Sequence, residues 1–183
     1  PYENVASIPF YVRWPESMDS RVTVRRGSTM SFLVELRDVF PTIAEVAGIR
    51  LPTDSSAPDG ASLLPLLNGR AEWRTHLVLE LAECDFDGEM DGINWVSLTD
   101  GSMKYIWFMD SGQEQLFNLS ADPQERYDLT QLQGMTSATS SWRTRLAAEF
   151  EREGRGPEWT SNGTLPLEAH RGRCSAFRST PNF

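Results

Sequence analysis

Ile93-Asn94-Trp95-Val96-Ser97-Leu98-Thr99-Asp100-Gly101-Ser102-Met103-Lys104-Tyr105-Ile106-Trp107-Phe108-Met109 is the stretch that decides the fold. Its first limb, 93–98, alternates along the chain as a strand with one buried face does. Asp100-Gly101 is a turn pair. Glycine takes a positive φ without a Cβ clash, and aspartate can bond its own backbone two residues on. The second limb, 103–109, is rich in aromatic and apolar residues and reads as the partner strand. Outward from this hairpin, Leu77-Val78-Leu79-Glu80-Leu81 reads as a strand upstream. Residues 114–118 read as another, after the Asp110-Ser111-Gly112 turn. Short turns between strands imply a small antiparallel sheet of about four strands. Trp142, Leu146 and Phe150 then fall at i, i+4 and i+8 within 138–153, the apolar face of one helix. After Gly154 the chain turns rich in Gly, Pro, Arg and Ser, which reads as an extended tail.

The first half carries a different pattern. Residues 8–15 are apolar, aromatic and closed by Pro15, and read as a short buried strand. Residues 16–30 are polar and basic, hence a loop. Val39, Ile43, Val46 and Ala47 fit one helix face, with Asp38 as the capping residue expected near its start, Pro41 in its first turn and Gly48 as a left-handed stop. Residues 52–60 form a loop by composition. Leu63-Leu64-Pro65-Leu66-Leu67 is a helical turn packed by leucines.

The whole chain of 183 residues is 39% hydrophobic and 23% charged, enough for one domain with a core or for one domain plus a small appendage. A formal charge of −9 repels a free polyanion, so nucleic acid is not expected as a partner. No apolar run approaches the ~20 residues of a membrane span, and the opening residues lack the basic and apolar regions of a signal peptide. Cys84 and Cys174 make neither a disulfide framework nor a zinc signature, and leave the compartment open. Asn118-Leu119-Ser120 and Asn162-Gly163-Thr164 fit the glycosylation pattern, which also arises by chance. Lys104 is the sole lysine.

Four segments, in order, resemble the C-terminal half of sulfatases of the alkaline-phosphatase-like superfamily, the arylsulfatase family among them. The first is Pro1-Tyr2-Glu3-Asn4 leading to Ile8-Pro9-Phe10-Tyr11-Val12-Arg13-Trp14-Pro15. The second is Val34-Glu35-Leu36-Arg37-Asp38-Val39-Phe40-Pro41-Thr42-Ile43-Ala44-Glu45-Val46-Ala47-Gly48-Ile49. The third is Asp59-Gly60-Ala61-Ser62-Leu63-Leu64-Pro65-Leu66-Leu67-Asn68-Gly69. The fourth joins Thr99-Asp100-Gly101-Ser102-Met103-Lys104-Tyr105 to the run from Glu114 through Asp122-Pro123 to Leu129. The resemblance implies an α/β fold, or α+β for this piece alone: the edge of a parallel sheet, then the small antiparallel sheet with its C-terminal helix. Residues 1–70 would end the catalytic α/β domain, 71–153 would form the antiparallel subdomain, and 154–183 the tail. The implied activity is hydrolysis of aryl or carbohydrate sulfate esters. Phosphonate monoester or phosphodiester hydrolysis on the same scaffold is the alternative, and a non-catalytic interaction domain is a third reading.

The residues that the resemblance would place at the chemistry are largely outside this chain. Such sulfatases convert a cysteine or serine in Cys/Ser-x-Pro/Ala-x-Arg to formylglycine and hold calcium on aspartates, both expected in a missing N-terminal part. A sulfate-contacting lysine would fall at or before residue 1. The chain itself offers no catalytic nucleophile and no metal set. Cys174-Ser175-Ala176-Phe177-Arg178 imitates the nucleophile motif, but at the wrong end and with no helix behind it. The acidic run Glu83, Asp85, Asp87, Glu89 and Asp91 lacks EF-hand spacing and reads as a solvated loop. The substrate-contacting candidates are His76 and Glu80, on a strand that can carry such groups in relatives, and Lys104, beside Tyr105 and Trp107. Each also reads as an ordinary surface or strand residue. The expected partners are the missing N-terminal portion, a sulfated small molecule or glycan, and a second copy meeting an exposed apolar face.

Overall fold

The computed structural model describes residues 1–18, 24, 26–69, 72–81, 94–155, 159–160 and 162–167. The acidic run, both cysteines and His170 lie outside the described residues. Two compact units form, one from residues 1–8 with 76 onward and the other from 9–75. Residues 1–8 thus join the sheet, across a long gap in sequence.

The sheet runs in the order β1 (Leu77–Leu81), β2 (Trp95–Thr99), β3 (Met103–Phe108), β4 (Glu114–Asn118), each pair antiparallel. The turn residues behave as their chemistry dictates. Gly101 takes φ +83. Asp100 Oδ1 accepts the Ser102 and Met103 N–H groups at 3.0 and 2.8 Å, and Thr99 Oγ1 accepts the Gly101 N–H at 3.0 Å. Register fixes the faces, because directly opposed residues share a side. Val96 opposes Trp107 and Leu98 opposes Tyr105, which opposes Leu116. This face is covered by α4 (Thr136–Arg152), whose Trp142, Leu146, Ala147 and Phe150 join it in one buried cluster. Trp159 and Leu165 belong to the same cluster, so the stretch read as a tail contributes to the core. Pro166 C=O accepts the Trp107 Nε1–H at 3.1 Å.

The opposite face holds Ser97, Lys104, Ile106 and Phe117, all buried. A short helix, α1 (Glu3–Ala6), lies toward it: the Tyr2 ring meets Phe117 edge-on at 6.0 Å, and Tyr2 Oη–H donates to Gln115 at 3.0 Å.

Within 9–75, a 3-10 turn, Leu36–Asp38, leads into α2 (Val39–Ala47). Gly48 ends it at φ +74, with the Gly48 and Ile49 N–H groups bonded back to Glu45 and Ala44. Pro41 and Ala44 face inward, as do Leu64 and Leu66 of α3 (Leu64–Leu67). Asp38 stands at the N-cap position of α2, but its side chain makes no capping hydrogen bond there. Its carboxylate turns back to the Glu35 N–H and closes the 3-10 turn. Residues 9–15 form no strand, and Phe10, Tyr11 and Val12 stand exposed. An extended segment becomes a strand only when a neighbour completes its ladder, and none of the described residues does so here.

Candidate functional site

β3 sets the position of Lys104. It alternates with Met103 and Tyr105, so its side chain leaves the α4 face for the opposite one, across from Thr99 and Phe117. There it is 0% exposed. A buried ammonium requires compensating charge, and two carboxylates supply it: Glu3 Oε1 at 2.9 Å and Glu125 Oε1 at 3.1 Å. The other oxygen of Glu125 accepts the Glu3 backbone N–H. Glu125 is itself buried and sits at φ +52, an unusual conformation for a residue with a Cβ. The Asp122-Pro123 turn holds it there. Asp122 C=O accepts the Glu125 N–H at 3.1 Å, and Asp122 Oδ2 accepts the Arg126 and Tyr127 N–H groups at 2.7 and 2.8 Å.

His76 and Glu80 lie elsewhere. Glu80 opposes Val96, which opposes Trp107, so Glu80 is on the α4 face. It pairs with Arg155 at 2.7 Å, and that guanidinium also stacks on the Phe150 and Trp159 rings at 4.5 and 4.9 Å. His76, half-buried, meets Glu149 of α4 at 3.0 Å. Burial would raise the Glu149 carboxyl, but hydrogen bonds from Arg152 and His76 outweigh it and hold the group below its usual range. The sheet therefore separates Lys104 from Glu80 and His76. One small ligand on one face cannot touch all three.

Two further polar clusters went unread in the sequence. Arg143 of α4 grips Glu114 of β4 with two hydrogen bonds, and the buried Tyr105 hydroxyl donates to the same carboxylate. Burial first, then Glu114, pushes the Tyr105 hydroxyl far above its ordinary pKa, so it stays a donor. In 9–75, Asp38 is 0% exposed and accepts from Arg74 twice, at 2.6 and 2.7 Å, from the Ala61 N–H at 2.8 Å and from the Glu35 N–H at 2.9 Å. The chain passes so close at Gly60 that a Cβ would sit 2.0 Å from the Arg37 carbonyl oxygen. Asp38, Gly60, Tyr105 and Glu114 all lie inside the resembling segments, but nothing in the sequence names their partners. Among the described residues no group of three or more His, Cys, Asp or Glu is placed to hold a metal ion.

Residues 1–152 match the family described as N-sulphoglucosamine sulphohydrolase, C-terminal. An arylsulfatase of Clostridium perfringens is 30% identical over 90% of this chain and 31% of its own length. Arylsulfatase K of Xenopus laevis is 31% identical over 68% of this chain and 22% of its own. This chain thus spans less than a third of either relative. Among solved structures, a 2-O GAG sulfatase superimposes with a TM-score of 0.56 at 21% identity, over 74% of this chain and 30% of that one. The phosphonate monoester hydrolase of Agrobacterium radiobacter does so with 0.50 at 21% identity, over 63% of this chain and 24% of that one. These likenesses establish the fold, and the match over residues 1–152 makes the chain a member of the sulfatase C-terminal family.

Proposed function

We propose that this chain is the C-terminal portion of a hydrolase of sulfate esters, aryl or carbohydrate, whose nucleophile lies in the part that precedes residue 1. The family match over 1–152, described as a C-terminal region, is the observation that supports this. The names of the two relatives, both arylsulfatases, point the same way. Formylglycine and calcium would belong to that preceding part. In this reading His76, Glu80 and Lys104 serve the site by ordering the sheet. Each already has a carboxylate or guanidinium of its own chain for a partner, and a substrate anion would have to displace it.

The preceding part would also cover the apolar face. Leu36 before α2 and Phe40, Ile43 and Ala47 on it fall at i, i+4, i+7 and i+11, all exposed, in a stripe beside the one that buries Pro41 and Ala44. An apolar stripe left exposed beside a buried one normally meets a partner.

Steady-state kinetics of the full-length protein on an aryl sulfate and on the matching phosphonate monoester test the reading. Preference for the sulfate by at least about a hundredfold in kcat/KM is expected, roughly 2.7 kcal/mol of differential transition-state binding. A preference for the phosphonate would favour the alternative that shares this fold. Turnover of neither would leave the interaction domain as the better reading.

A further inference from the structure

α1 buries none of its residues, and Val5 is 73% exposed. Apolar burial therefore does not hold this helix to the sheet. Polar contacts at its first turn do. Glu3 is fixed twice, by its side chain to Lys104 and by its backbone N–H to Glu125, across 101 and 122 residues of sequence. Tyr2 beside it is fixed by Phe117 and Gln115. The Lys104 side chain is 0% exposed and that of Glu125 is 1% exposed. A buried ion cluster adds little net stability over an apolar one of the same volume, since desolvation offsets the attraction. What it supplies is direction: each contact accepts one geometry, whereas apolar contact accepts many. Glu125 is moreover kept at φ +52, a conformation that a residue with a Cβ adopts at some cost.

We infer that Lys104 and Glu125 are positioning residues: with Glu3 they clamp the Tyr2–Glu3 junction to β3 and β4, and so set the orientation of the part proposed to precede residue 1. The inference rests on the sulfatase reading and deepens it. No bond is made or broken by these groups.

The test uses the full-length protein with Lys104→Met and Glu125→Gln combined. That pair removes one charge of each sign and leaves an acceptor for the Glu3 N–H. Hydrogen exchange at residues 2–8 should quicken by about tenfold or more, with strands β2 and β3 unchanged. In the same protein kcat on an aryl sulfate should fall about tenfold or more while KM stays within about threefold. Lys104→Arg, which keeps the charge, should recover part of both. Unchanged exchange at 2–8 overturns the clamp. Faster exchange with unchanged kcat overturns the positioning role. If the double variant fails to fold, Glu3→Gln is read the same way; it removes one partner of Lys104 and leaves the backbone bond. Were the unaltered protein inactive on sulfate esters, the sulfatase reading would fall, and the exchange result alone would still uphold or overturn the clamp.

Discussion

Asp38 gathers the backbone around it. Four hydrogen bonds reach its carboxylate, from Arg74, Ala61 and Glu35, and tie the start of α2 to the loop before α3 and to the segment entering β1. Burial acts to raise this carboxyl, but Arg74 and the two N–H groups outweigh it and hold it below the ordinary range. Its contribution to stability is therefore complete above about pH 4 and is lost as pH falls through the lower, folded value. Arg74→Met leaves this charge buried and unpaired, and should lower stability at neutral pH by about 3–5 kcal/mol. In urea unfolding, the gap from the unaltered protein should narrow as the medium is acidified below that range. A gap that widens in acid would contradict the assignment. Such contacts were not legible in sequence. Asp38 looked like a helix cap, because proximity to α2 is visible in a sequence and a partner 36 residues away is not. Lys104 posed the same problem: a strand lysine reads as exposed until its two carboxylates are known.

Regular elements were far more legible. β1, β4 and the α4 stripe stand where periodicity puts them, and the Asp100-Gly101 hairpin forms as its turn chemistry requires. Local chemistry decides these. Residues 9–15 are the counterexample: their composition fits a strand, but strand formation depends on a neighbour. Trp159 and Leu165 are the converse, core residues without periodicity in a Gly- and Pro-rich stretch. At this scale the sheet should depend on the α4 stripe. Leu146, fully buried between β-strand side chains and its own helix, predicts a loss of about 2–5 kcal/mol for Leu146→Ala by chemical denaturation. A loss below about 1 kcal/mol would mean that α4 is not what closes this face.

At the scale of the molecule, two compact units share one chain, and the first eight residues close onto the sheet of the later unit. The exposed stripe on α2 gives the next prediction. Phe40→Ser with Ile43→Ser should change the stability of this chain alone by less than about 0.5 kcal/mol, since both side chains already meet solvent. In the full-length protein the same pair should lower it by about 2 kcal/mol or more, the worth of two buried apolar side chains. Equal effects in both would place the stripe in solvent throughout. As proposed, this chain completes an enzyme whose chemistry lies before residue 1. The most direct test of that proposal is complementation: the preceding part and residues 1–183, purified separately, are assayed on an aryl sulfate singly and mixed. Turnover should arise on mixing, with none from residues 1–183 alone; hydrolysis by residues 1–183 unaided would overturn the proposal.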